Sequence, residues 1–401
     1  DCPQRDERMG WLNDLTVRTE TTLCTFATHQ LLAAFVDRIA DTQDSSGAIA
    51  DTAPFRFGSR PADPVAACYA LIPLLLYRHY GDDRPIRRHL DGIRAWCDYL
   101  DSRTSNSLVA YSYYGDWAPP APDTRIGANR FPLSATVPGE FVSSAHYIAT
   151  RRALAQLARI VGREDVAVES EQAAQAVVAA VHAAFADSLG YCGGSQAANA
   201  TALYLGITPE EHRPTTVDAL VQDVTARGRL TTGNLATKYL LEVLSSNGRG
   251  DLALGLVRRH EYPGWLYMLD RGATTIWERW EDATGGGMNS HNHPMYGTVG
   301  AWLYRHLAGL RLDDDAVGFS RIVIDPLVTT PVAHASLALN TVRGRAAVRW
   351  TRTGDEVTVH VVVPSGATAH IVPVGEIAQA GHHRYVFGVG TSNGSACMDR
   401  C

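Results

Sequence analysis

Apolar positions recur at helical spacing over roughly the first 310 residues and at alternate positions over most of the remainder. Leu154, Leu157 and Val161 stand at i, i+3 and i+7, and Leu31, Phe35 and Ile39 at intervals of four. The run VAACYALIPLLLYRHYG is apolar nearly all round, which predicts a buried inner helix, bent or broken at Pro73. Further periodic stretches predict helices over 84–102, 137–161, 163–187, 195–205, 215–227, 233–246, 249–259 and 293–308. Very apolar and amphipathic helices alternate along this series. That alternation predicts two concentric layers, an (α/α) barrel rather than a four-helix bundle.

The period changes near residue 315. EVTVHVVVP places Val357, Val359, Val361 and Val363 on one face of a strand after the turn Thr353-Gly354-Asp355, and RAAVRW, TAHIVPV and RYVFGV continue the alternation. The expected organisation is a barrel over 1–312, a small antiparallel β-sandwich over 313–390 and a poorly ordered tail over 391–401. The length of 401 residues accommodates both domains.

Composition changes this picture little. A net charge of −6 without a basic run argues against nucleic acid as a partner. There is one lysine, Lys238, among 36 basic residues. No stretch of 18 apolar residues suggests a membrane span, and no signal peptide is visible. The seven cysteines lack CxxC spacing, so a metal knuckle is not expected. Cys24, Cys68 and Cys97 read as core thiols, while Cys397 and Cys401 could form a small local disulfide.

Four segments concentrate carboxylates, aromatics, Gly and His. The first is the opening DCPQRDERMGWLND. Were it helical, Glu7, Trp11 and Asp14 would share a face, with Asp1 joining them across the Pro3 turn. Acids accept hydrogen bonds from sugar hydroxyls, and an indole stacks on apolar C–H faces. A solvated arm in which Asp14 caps the next helix is the competing reading. The second segment, TTIWERWED (274–282), flanks Glu278, Glu281 and Asp282 with Trp277 and Trp280; a charged loop with its tryptophans in the core is the alternative. The third, GGGMNSHNHP (285–294), offers a loop able to approach a ligand. Its His291 and His293 lack a third metal ligand nearby. The fourth, YSYYGDWAPPAP (111–122), carries Asp116 and Trp117 in a Pro-stiffened loop that could equally be structural. Two carboxylates from distant segments, each beside tryptophans, meet the requirement of glycoside hydrolysis.

DCPQRDERMGW followed by Asp14, then YGDW, TTIWERW, MNSHNH and YGTVGAWLY, resembles the catalytic region of glycoside hydrolase family 78, the α-L-rhamnosidases. GFSRIVIDP resembles the start of that family's C-terminal β-domain. The resemblance implies an (α/α)6 barrel and an inverting enzyme acting on a rhamnose-containing glycoside or oligosaccharide, without a cofactor or metal. By motif position it implies Glu7 as general acid and Glu278 as general base. Asp1, Arg5, Trp11, Asp14 and His293 fall on positions lining the rhamnose subsite, and Trp117 and Trp280 are implied as further walls.

Two features depart from the family pattern. Family members usually carry a barrel helix, and β-sandwich modules before it, ahead of the DCPQRDER motif, so the chain is expected to continue upstream of Asp1. The linker between Glu278 and His293 is shorter than usual, and His291 replaces an aromatic, which bears on the substrate more than on the reaction. A relative cleaving another deoxy or uronic sugar, a non-catalytic carbohydrate-binding protein and, less well supported, a toroidal lyase are the alternatives.

Overall fold

A computed structural model describes residues 8–120, 137–284, 290–329 and 331–389. Twelve α-helices are found among them: α1 (Leu12–Thr25), α2 (His29–Ala40), α3 (Cys68–Tyr80), α4 (Arg84–Asp101), α5 (Gly139–Ile160), α6 (Glu164–Phe185), α7 (Gln196–Tyr204), α8 (Arg213–Arg227), α9 (Asn234–Ser246), α10 (Gly250–Val257), α11 (Trp265–Asp270) and α12 (Val299–Trp302). The inner ring runs α1–α3–α5–α7–α9 and closes through α12 back onto α1, while α2, α4, α6, α8 and α10 pack outside. This is the expected (α/α)6 barrel with its two layers.

Inner helices bury nearly every side: α9 buries eleven consecutive residues, Asn234 to Leu244. Outer helices bury a stripe, as in α2, whose buried residues are Leu32, Val36 and Ile39. Ile39 is buried as expected, but Leu32 and Val36 take the places expected of Leu31 and Phe35, and Leu31 faces solvent at 67% exposure. Pro73 lies within α3 without ending it; the helix stops instead at Gly81, whose left-handed φ of 73° supplies the terminating conformation.

The segment expected as one helix over 293–308 is broken into a 3₁₀ turn (Met295–Thr298), α12 and a π-helical turn (Leu303–Leu307). The cause is visible. Thr21 Oγ1 donates to Gly297 O at 3.3 Å and accepts from Ala301 N at 3.2 Å, standing between two groups that would otherwise pair along the helix.

Two short ribbons, β1 (Thr104–Ser105) with β2 (Leu108–Val109) and β3 (Ala186–Asp187) with β4 (Gly190–Tyr191), close the loops after α4 and α6. The C-terminal part comprises β5 (Leu310–Leu312), β6 (Arg321–Ile324), β7 (His334–Thr341), β8 (Gly344–Thr353), β9 (Glu356–Val363), β10 (Thr368–Ile371), β11 (Glu376–Ala378) and β12 (Gly381–Gly388). They form two four-stranded sheets, ordered β11-β10-β6-β5 and β12-β9-β8-β7. All pairs are antiparallel except β6 with β10, which run parallel. Val357, Val359, Val361 and Val363 face inward, with Trp350 at the centre of their core. Trp350 Nε1 donates to Leu307 O at 3.0 Å, fastening this core to the π-helical turn of the barrel. No helix among the described residues is long and apolar enough to cross a membrane.

Candidate active site

The described parts of the segments singled out in the sequence come together near the N-terminal ends of inner helices, where backbone N–H groups and the positive ends of helix dipoles favour carboxylates. Trp11 is extended rather than helical and bridges to Thr52, and Leu12 N donates to Asp51 O at 2.9 Å. Asp14 is therefore not a cap. It sits inside the first turn of α1, 5% exposed. On the neighbouring segment before α12, His293 N donates to Ile276 O at 2.8 Å, and Met295 N donates to His293 Nδ1 at 3.3 Å. The opposite ring nitrogen, Nε2, then lies 3.7 Å from Asp14 Oδ1. Asp14 and His293, 279 residues apart, are thus brought together.

Glu278 lies in the irregular segment between α11 and Met295 and is 2% exposed. Its backbone N donates to Ser290 O at 2.8 Å, and its Oε2 accepts from Ser290 N at 3.0 Å, which fixes the carboxylate. The other acids of its cluster are engaged elsewhere. Glu281 accepts from the Tyr262 hydroxyl at 2.6 Å and pairs with Arg279 at 3.4 Å; Asp282 pairs with Arg271 at 3.4 Å near the surface. Trp277 stacks on His291, with ring centroids 4.2 Å apart, so His291 serves as a packing partner. Trp280 has no exposed surface: its ring packs edge-on to Trp265 and against Tyr296. Its ring is thus taken up by core packing and presents no surface to solvent. Among the described residues no cluster of three His, Cys, Asp or Glu could hold a metal ion.

A chain of aromatic rings runs outward from this centre. Trp117 meets Tyr114 edge-to-face at 5.9 Å, Tyr114 meets Trp11 at 6.0 Å, and Trp11 meets Phe57 at 6.3 Å. Phe57 is largely exposed, whereas Trp11 and Trp117 are half-buried. Asp1, Arg5 and Glu7 lie outside the described residues.

Residues 1–307 match the bacterial α-L-rhamnosidase six-hairpin glycosidase domain, and residues 309–387 match the bacterial α-L-rhamnosidase C-terminal domain. The chain belongs to the bacterial α-L-rhamnosidase family. It is 30% identical to an α-L-rhamnosidase of Alteromonas sp. (strain LOR), over 93% of this chain and 41% of that protein. Among solved structures, the α-L-rhamnosidase from Dictyoglumus thermophilum superposes with a TM-score of 0.85 at 32% identity, over 92% of this chain and 41% of that one. The Streptomyces avermitilis α-L-rhamnosidase complexed with L-rhamnose gives 0.87 at 27% identity, over 96% and 39%. The chain thus spans about two fifths of the length of these rhamnosidases.

Within the rhamnosidase six-hairpin domain, two buried carboxylates went unseen in the sequence. Asp51 Oδ2 accepts from Ser59 N at 2.7 Å and from the Tyr114 hydroxyl at 3.3 Å, and its Oδ1 accepts from Asp63 N at 2.8 Å. Asp63 in turn accepts from Tyr113 N and Tyr114 N at 2.5 and 2.7 Å. Together they fasten the loop before α3 to the 111–117 loop. Burial pushes the Asp51 carboxyl up to about 6, against the N–H and hydroxyl donors that favour its ionised form, and burial raises Asp63 as well. The only sequence signal was two aspartates in a Pro-rich connection, and any surface loop carries as much.

Proposed function

We propose that this chain is the catalytic part of a glycoside hydrolase that releases terminal α-L-rhamnose from rhamnosides with inversion, Glu278 acting as general base and Glu7 as general acid. The observation that carries the reading is Glu278 itself. It is a nearly fully buried carboxylate, held by Ser290 N and flanked by tryptophans, in the ring that also presents Asp14 against His293. In a single displacement, Glu278 takes a proton from water as the water attacks the anomeric carbon. Glu7 gives its proton to the departing glycosidic oxygen. Room for that water requires the two carboxyl groups to stand about 6.5–9.5 Å apart. Asp14, His293, Trp11 and Trp117 are assigned to hold the sugar, with Asp1 and Arg5 from the opening motif. Trp280 is assigned to support Glu278 from behind. The similarity to a rhamnosidase crystallised with L-rhamnose supports rhamnose as the sugar.

The test is hydrolysis of p-nitrophenyl α-L-rhamnoside by the wild-type chain, Glu7→Gln and Glu278→Gln. Activity in the wild type and its loss in both variants is expected. Substantial turnover surviving either substitution removes that residue from its role.

A further inference from the structure

Three successive residues of the 111–120 loop are anchored one by one to the opposite side of the ring. The Asp116 carboxylate accepts from Gly233 N at 2.6 Å, Leu235 N at 3.1 Å and Ala236 N at 3.0 Å, filling the N-terminal donors of α9 from a position 117 residues away. Trp117 O accepts from Asn234 N at 2.9 Å. Ala118 O accepts from the Tyr296 hydroxyl at 2.5 Å, and Tyr296 is the ring against which Trp280 packs. Ala118 itself is held at φ 54°, a left-handed conformation that a non-glycine residue keeps only where its surroundings over-determine it.

Gly233 closes the contact from the other side. A Cβ there would stand 2.4 Å from Asp116 O and 2.5 Å from Trp117 O, so any side chain would push the loop off α9. Between these anchors the Trp117 ring is left half-buried, edge-on to Tyr114 and continuous with Trp11.

We infer that Asp116 is a positioning residue, which sets the Trp117 ring as a wall of the sugar site by clamping its backbone to α9. The inference rests on the reading of this pocket as a rhamnoside site. Asp116 is 2% exposed and its carboxylate is bound to the start of α9, so it acts on substrate through Trp117. An amide in its place keeps one acceptor oxygen but turns an N–H donor toward an N–H donor at the other, which loosens the loop.

The experiment is a double-mutant cycle on p-nitrophenyl α-L-rhamnoside. Asp116→Asn should raise KM about tenfold with kcat within about threefold of wild type, because a displaced wall weakens binding more than chemistry. In a Trp117→Ala background the same substitution should change KM by less than about twofold, since the wall is already gone. Gly233→Ala displaces the same loop and leaves the carboxylate in place, and it should copy the Asp116→Asn signature. The inference is overturned by an unchanged KM in both variants, by effects that simply add to that of Trp117→Ala, or by a fall confined to kcat. Failure of both variants to fold also overturns it, because the contact would then support α9 as a whole. A wild-type chain that hydrolyses no rhamnoside refutes the functional reading itself, and the inference with it; an active wild type with unaffected variants refutes the inference alone.

Discussion

Two levels of the helical ring hold several of their buried carboxylates in opposite ways. At the mouth, Asp51, Asp63, Asp116 and Glu278 accept hydrogen bonds from backbone N–H groups. Burial there pushes Asp51 and Asp116 up to about 6. Deeper along the inner helices, the carboxylates meet cations. Glu20 on α1 lies 2.7 Å from Lys238 Nζ on α9 and 3.1 Å from Arg305, while Glu242 lies 2.7 Å from His306. Burial opposes ionisation there too, but the neighbouring cations overcome it. Lys238 and Arg305 hold Glu20 well below the usual carboxylate range, and Arg305 with His306 lowers Glu242 to about 2. Burial among neutral donors leaves Asp51 and Asp116 with proton affinities within reach of neutral pH, whereas Glu20 and Glu242, locked to cations, stay ionised. One fold thus sets Asp51 and Asp116 at its mouth apart from a floor of fixed charge at Glu20 and Glu242, and the chain's single lysine belongs to the floor.

Four outcomes would break or sharpen that contrast. The largest concerns the mouth: Glu278→Gln should lower kcat on p-nitrophenyl α-L-rhamnoside by about 10²–10⁴ with an unchanged melting temperature, the range expected for removing a general base. Lys238→Met should do the reverse. It leaves Glu20 short of one buried partner, costing about 3–5 kcal/mol of stability in thermal or denaturant unfolding, with kcat/KM at 25 °C close to wild type. Glu242 then separates the levels by pH. Its folded value near 2 lies below the ordinary 4.5, so its contribution is complete above about pH 4.5 and is lost as the pH falls toward 2. Glu242→Gln should accordingly narrow its stability deficit relative to wild type over that interval, as followed by melting temperature. The smallest effect has the opposite sign. Asp51 binds its proton more tightly folded than unfolded, so its ionisation weighs against the fold as pH rises from about 4 to about 6. The melting temperature of Asp51→Asn should therefore improve relative to wild type across that range. Parallel pH trends for the two variants would dissolve the distinction between mouth and floor.

Much of this architecture was legible in the sequence, and the exceptions have physical causes. Helical periodicity located the hairpins because inner and outer helices differ so strongly in apolar coverage. Alternation located β9 because one face of it is wholly buried. The broken helix after Pro294 was not legible, since its cause is the hydroxyl of Thr21, some 280 residues earlier. The same holds at the site. Trp11, Asp14, Glu278 and His293 announced themselves through motifs, and the structure places Asp14 against His293. Trp280 carried the same signal as a ligand-facing tryptophan yet is packed away by Trp265 and Tyr296, because composition does not say which side of a loop a ring takes. Asp51 and Asp63 gave no signal that set them apart from a surface loop, since their role depends on backbone donors that only the folded loops bring near.

The account depends on Glu278 directing water at the anomeric carbon from the side opposite the departing group. Proton NMR of the sugar first released from an α-L-rhamnoside, recorded before mutarotation, reads that geometry directly. β-L-rhamnose as the initial product is the predicted result. Initial α-L-rhamnose would mean retention and a nucleophilic carboxylate, and would contradict the role given to Glu278.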